Sequence, residues 1–220
     1  MIKVRPVNTN DISGEDAAFI VKTLNENKKY SLDNAKLDNV KIKEIFYAES
    51  TRLVIGENGE YIGFCFLTDI EDKLSATFHG YISSAKNYYK FKKNHVFDLI
   101  FIDYFKTYNV ITINVYLPEY LKTKKVGKLT IAKPSSILLD KAGFKCSSPV
   151  KNYALKNDRP LDIFIYQVHR FWFVKWQNVK KDYESGRYSN GGLAIKHKLH
   201  LPILEKIIVQ KNWEKITDEF

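Results

Sequence analysis

Residues 135–169 read SSILLDKAGFKCSSPVKNYALKNDRPLDIFIYQVH, and this stretch decides the fold. Ile137, Leu138, Leu139 and Ala142 make an apolar face at helical spacing. Pro134 suits a first helical turn, where its missing N–H is no loss. Gly143 can take the positive φ that ends a helix, and Phe144 then turns back onto a core. Residues 153–155 and 162–166 read as strands, and the turn residues KNDRP at 156–160 predict a β-hairpin between them. The second strand, DIFIY, is nearly all apolar, which predicts a central strand or one covered on both faces.

Around this stretch, 220 residues hold one good-sized domain with an extension, or two small domains. A hydrophobic share of 45% and an aromatic share of 14% predict a folded chain with a substantial core. No apolar run approaches the length that spans a bilayer, and residues 1–7 are too short and too charged for a signal peptide. Cys65 and Cys146 lie in apolar strand-like segments without metal-ligand spacing. They predict two reduced structural thiols in a cytoplasm-like setting. The net charge of +10 favours acidic partners such as nucleic acid or phosphate-bearing cofactors. A solvated lysine-rich surface accounts for the same charge, since Lys, Asn, Ile and Tyr are all abundant.

Toward the N-terminus, residues 2–7 (IKVRPV) alternate as a strand. Ser13 is a good N-cap for a helix over 14–25, residues 25–30 read as a polar loop, and a second helix covers 34–48 with Leu37, Val40, Ile45 and Phe46 inward. Strands at 52–55 and 61–67 around the turn 56–59 (GENG) make a hairpin, and residues 74–82 follow after a turn at 69–73 as a third antiparallel strand. Residues 83–108 read as one long helix with Val96, Phe97, Ile100, Phe101, Tyr104 and Phe105 toward a core. The strand at 110–116 then makes a parallel crossover pair with the one before that helix.

Residues 121–133 (LKTKKVGKLTIAK) carry five lysines and no acid. They read as a basic loop, or as a phosphate or nucleic-acid contact through Lys122, Lys124, Lys125 and Lys128. Beyond 169 come an aromatic cluster at 170–176, turn-rich residues at 183–192 and a helix face of Ile203, Leu204, Ile207, Ile208 and Trp213. The domains expected are thus 1–168 and a 169–220 extension that packs on the domain or on a protein partner in a homo- or hetero-oligomer.

The order β-α-α-β-β-β-α-β-α-β-β resembles the GNAT acetyltransferase fold over about residues 1–168. The strand at 2–7 followed by Asp11, the strand YIGFCF at 61–66, and LLDKAGF at 138–144 before a hairpin with Asp162 and Tyr166 carry the resemblance. It implies an α/β fold: a central mixed sheet flanked by helices. It also implies acetyl-CoA bound at the fourth strand and the start of the helix after it. There Ile82, Ser83, Ser84 and Lys86 are the candidate binding residues, since helix-start N–H groups favour an anion. The family's loop glycines are absent from residues 82–92 (ISSAKNYYKFK), where Tyr88, Tyr89 and Phe91 add bulk.

Ala132 stands where the family often has Asn, and Leu139 where it often has a proton-donating Tyr. His79, on the fourth strand, is the candidate base, an imidazole that titrates near neutral pH, and Tyr116 the candidate acid. The five histidines make no metal or Ser/His/Asp constellation. Three readings follow: an acyl-CoA-dependent N-acetyltransferase, a catalytically inactive GNAT-like scaffold for assembly (a phage particle component being one setting, in host cytoplasm or virion), and a basic nucleic-acid-binding protein.

Overall fold

In a computed structural model, residues 2–7, 13–27, 42–45, 48–94, 96–126, 129–199 and 201–210 are described. Strand β1 (Lys3–Pro6) leads through helix α1 (Gly14–Asn27) to β2 (Arg52–Ile55), β3 (Tyr61–Thr68) and β4 (Ser75–Ile82). Helices α2 (Ala85–Lys93) and α3 (Val96–Thr107) precede β5 (Thr112–Pro118). A helical turn α4 (Glu119–Lys122), the small hairpin β6 (Thr123–Val126) and β7 (Leu129–Ala132), and α5 (Pro134–Lys141) lead to β8 (Lys145–Lys156) and β9 (Arg159–His169). Helices α6 (Arg170–Glu184), α7 (Asn190–His197) and α8 (Leu201–Gln210) follow.

Seven strands form one mixed sheet in the order β1-β2-β3-β4-β5-β9-β8. All neighbours are antiparallel except β4 and β5, which are parallel. The interior position of β9 matches its apolar sequence.

Strand alternation sends side chains to two faces. Ala76, Phe78, Ile113, Leu117, Tyr166 and Val168 meet the α2, α3 and α5 side, where Phe101 is fully buried among the rings of Phe78, Phe97, Phe144 and Phe173. Leu53, Phe64 and Phe66 meet Ile20 and Leu24 of α1 on the other face. Val179, Leu193, Ala194 and Leu204 form a third, smaller cluster within α6–α8. Phe173 ties the start of α6 into the main core.

Local chemistry explains the joints. Ser13 Oγ accepts the Asp16 amide at 3.1 Å and starts α1. Gly143 takes φ +80 after α5, and the Phe144 amide donates back to the Leu139 carbonyl at 3.1 Å, as the residues predict. Gly63 is required by close approach: a Cβ there would lie 2.6 Å from the Tyr81 carbonyl and 2.8 Å from the Phe91 ring.

Several expectations need correction. The helix over 83–108 is two helices, broken where Asn94 caps α2 with φ −102 and ψ 13 and its side chain donates to the Lys90 carbonyl. The stretch 121–133 is not a loop but a helical turn and a two-stranded hairpin. The strands at 153–155 and 162–166 are parts of much longer ones, and Asn157 and Asp158 turn the chain with φ 50 and 59. Cys65 is buried, which pushes its thiol up to about 12, but Cys146 is exposed rather than structural. Helix α1 runs on to Asn27, into the expected loop. Of the helix at 34–48 only 42–45 is described and helical, with Ile45 buried; Leu37, Val40, Phe46, Asp11 and Trp213 lie outside the described residues.

One buried carboxylate makes stability depend on acid. Asp16 is 4% exposed and accepts from Arg5 Nη2 at 2.7 Å and Tyr61 Oη at 2.6 Å. Burial pushes its pKa up, but the hydrogen bonds from Arg5 and Tyr61 outweigh this and the net shift is downward from 3.8. The stability it contributes is therefore complete above its ordinary pKa and is lost as pH falls through the lower folded value. Urea melts between pH 7 and pH 2 are expected to show a smaller acid loss for Asp16→Asn than for the native chain; equal losses would remove Asp16 from this role.

Candidate active site

The parallel ladder between β4 and β5 holds for three rungs only: Ser75–Thr112, Ala76–Ile113 and Thr77–Asn114. Beyond it the two strands part. β4 stays paired to β3 as far as Ile82, and β5 stays paired to β9 as far as Pro118. Each strand is thus held on its outer side while their inner edges separate, opening a gap in the middle of the sheet. Main-chain groups inside a sheet are normally paired. A gap of this kind presents them to an extended ligand that can bond like a strand.

His79 and Tyr116 each stand two residues past the last rung, on the same face, on opposite sides of the gap. The His79 ring stacks on Phe66 with centroids 4.8 Å apart, and its Nε2 lies 2.9 Å from Thr68 Oγ1. Thr68 Oγ1 in turn donates to Asp69 Oδ2 at 2.9 Å. A carboxylate only accepts, so the single threonine proton goes to Asp69, and Thr68 then accepts from His79 Nε2–H. This assignment places a ring proton on Nε2.

Tyr116 stacks on Tyr153. Its phenol is raised above 10.0 by burial first, then by Tyr153 and the Asp69 charge, so it keeps its proton at neutral pH. Tyr166, by contrast, faces the helix side and is 1% exposed.

The residues expected at the cofactor loop divide by role. Ile82 packs against the main core. Ser83 is committed to β3: its amide and hydroxyl both donate to the Ile62 carbonyl at 3.1 Å, and it accepts from Asn87 Nδ2. Ser84 caps α2 by accepting the Asn87 amide at 3.2 Å. The amides of Ala85 and Lys86 then open the helix without a partner inside it, and the Lys86 side chain is exposed beside them. This start suits an anion.

Of the three bulky residues, Phe91 packs beneath Gly63 and against Phe97, and Tyr89 is 65% exposed. Tyr88 is the one that crosses: its hydroxyl donates to the Pro134 carbonyl at 2.8 Å, joining the first turn of α2 to the start of α5. Leu139 is core, and Ala132 ends β7. Lys122 lies 3.5 Å over the Phe164 ring and donates to Cys146 Sγ at 3.2 Å. Lys124 and Lys125 belong to β6, and Lys128 lies outside the described residues.

Thr68, Asp69, Tyr153 and the Tyr88 bridge are not marked by any sequence pattern. Residues 69–73 read only as a turn, and Tyr153 reads only as a strand residue. Among the described residues no cluster of His, Cys, Asp and Glu suits a metal ion, and no helix is long and apolar enough to cross a membrane.

No family model matches the chain, and no curated protein matches it. Solved structures do. A spermidine N-acetyltransferase from Vibrio cholerae, solved with CoA and spermine, shares 17% identity at a TM-score of 0.58, over 79% of this chain and 98% of that one. A Salmonella typhimurium protein solved with its cofactor acetyl-CoA shares 14% at 0.57, over 77% and 94%. A GNAT-family acetyltransferase from Bacillus anthracis shares 10% at 0.57, over 77% and 95%. The chain therefore has the GNAT acetyltransferase fold, in divergent form.

Proposed function

We propose that the chain transfers an acyl group from an acyl-coenzyme A thioester to an amine. The observation that carries this is the placement of His79 and Tyr116 on either side of the β4–β5 gap, on one face. The inner edges of β4 and β5 hold the amide-bearing arm, and the α2 start with Lys86 holds phosphate. Bound acetyl-CoA supplies the activated acetyl group. The His79 imidazole takes a proton from the acceptor ammonium or amine, and Tyr116 Oη gives one to the departing sulfur. Thr68 and Asp69 position the ring. The test is thiol release from acetyl-CoA in the presence of primary amines: release that needs both protein and amine is expected. No release above the uncatalysed rate at millimolar acetyl-CoA overturns the reading.

One observation favours a second reading, an inactive scaffold that meets its partner through residues 170–220. The Tyr88–Pro134 hydrogen bond joins the two helix starts between which the phosphate end of the ligand would pass. If this is a latch on a working site, removing its hydroxyl costs the closed form about 1 kcal/mol. Tyr88→Phe is then expected to bind acetyl-CoA roughly five-fold more tightly by calorimetry. Binding by neither form favours the scaffold.

A further inference from the structure

Two nucleophilic side chains meet on the sheet face opposite His79 and Tyr116. Cys146 of β8 is the register partner of Tyr166, which faces the helix side, and its thiol is free and exposed. Lys122 closes α4, and its carbonyl accepts the Lys133 amide at 2.8 Å and Ser136 Oγ at 2.9 Å, which fixes its backbone. Its Nζ lies 3.5 Å over the Phe164 ring and donates to Cys146 Sγ at 3.2 Å. The thiolate is the nucleophilic form of cysteine, and an ammonium at the sulfur favours it. Ring and sulfur together hold the lysine nitrogen where a group bonded to that sulfur is within its reach. Reacting atoms pre-set at about 3–3.5 Å gain the large effective concentration of an intramolecular step.

We infer that Cys146 and Lys122 form a self-acylation site, in which an acyl thioester from solution modifies Cys146 and the acyl group then passes to Lys122. In the first step the Cys146 thiolate attacks the thioester carbonyl, a new C–S bond forms, and the old one breaks. The departing thiolate takes a proton from the Lys122 ammonium, which has lost its charged partner, and leaves as a free thiol. In the second step the neutral Lys122 amine attacks the carbonyl now bonded to Cys146. A C–N bond forms, the C–S bond breaks, and the nitrogen's proton goes to the sulfur, which restores the Cys146 thiol. The product is an amide at Lys122, which removes a charge at the base of the β6–β7 hairpin. The site stands apart from the β4–β5 gap and does not rest on the acyl-transfer reading.

The test incubates the full chain with millimolar acetyl-CoA and follows acetylation lysine by lysine with peptide mass spectrometry, using Cys146→Ser and Lys122→Arg as variants. Cys146 is exposed, and arginine keeps a charge over Phe164, so both variants are expected to melt as the native chain does. In the native chain Lys122 is expected to acetylate about ten-fold faster than the exposed Lys92 and Lys93. Cys146→Ser should slow Lys122 to the rate of those two. Lys122→Arg, whose side chain cannot take up the acyl group, should leave it on Cys146 as a thioester that hydroxylamine removes. Lys122 acetylating no faster than Lys92 and Lys93, or equally fast in Cys146→Ser, overturns the site. So does a Lys122→Arg chain that carries no hydroxylamine-labile acetyl group on Cys146.

Discussion

Replacing His79 with alanine is expected to lower acyl transfer by about 10²–10⁴-fold, the usual worth of a general base. The residue sits half-buried on β4, two positions past the last rung to β5, with its ring on Phe66 and its Nε2 on Thr68. Loss of the ring leaves the sheet pairing of β3 and β4 intact, since that pairing is main-chain. Acetyl-CoA binding and the melting temperature should therefore stay close to native while kcat collapses. A kcat within three-fold of native would remove His79 from the chemistry. Thr68→Val separates positioning from catalysis: it keeps the shape, removes the acceptor for Nε2–H, and is expected to shift the pH profile of the reaction more than its maximum.

The largest effect on stability is expected at Phe101. Its side chain is 0% exposed and lies within 6.2 Å, ring centre to ring centre, of Phe78, Phe97, Phe144 and Phe173. These partners come from β4, α3 itself, the exit of α5 and α6. One ring thus joins the sheet to three helices. Phe101→Ala removes the buried surface and leaves a cavity that rigid neighbours cannot fill, at a cost of about 3–5 kcal/mol. For a chain of this length that lowers the midpoint of thermal unfolding by roughly 10 °C. Calorimetry checks it; a fall of less than 3 °C would mean that the cluster relaxes and that the core is less closely packed than the ring geometry implies.

Much of the scaffold is legible because single residues dictate local backbone. Gly143 must take a positive φ, so the end of α5 and the turn into β8 are readable from residues 138–144. The hairpin β2–β3 is readable from its GENG turn between apolar runs. What is missed has physical reasons. The helical period of residues 83–108 continues in phase through Asn94, and no Pro or Gly marks the break, so the pattern hides two helices. In β8 the register slips between Cys146 and Pro149 and again between Val150 and Ala154, and most of its side chains are exposed. Neither alternation nor hydrophobicity then betrays a 12-residue strand. The basic stretch around Lys122 looks like a loop because lysines are poor strand formers, yet pairing from Thr123–Ala132 to Val126–Leu129 holds it as a hairpin.

The candidate site divides in the same way. That His79 and Tyr116 stand on neighbouring strands is readable because the order of elements puts those strands side by side. Asp69 and Tyr153 enter through tertiary contacts: one through Thr68, the other through a ring stack reaching from β8 to β5. No local pattern encodes such contacts. Tyr88 was readable as bulk at the cofactor loop, but its hydrogen bond to Pro134 spans 46 positions and depends on where α5 lands.

The central claim is that an acyl-coenzyme A lies in the gap between β4 and β5. Hydrogen exchange followed peptide by peptide, with and without saturating acetyl-CoA, tests it most directly. The amides of residues 78–82 and 115–118 are expected to slow on adding the ligand, together with those at the start of α2, while the amides of α6 and α7 stay unchanged. Exchange that remains the same across both strand segments at millimolar acetyl-CoA would contradict it.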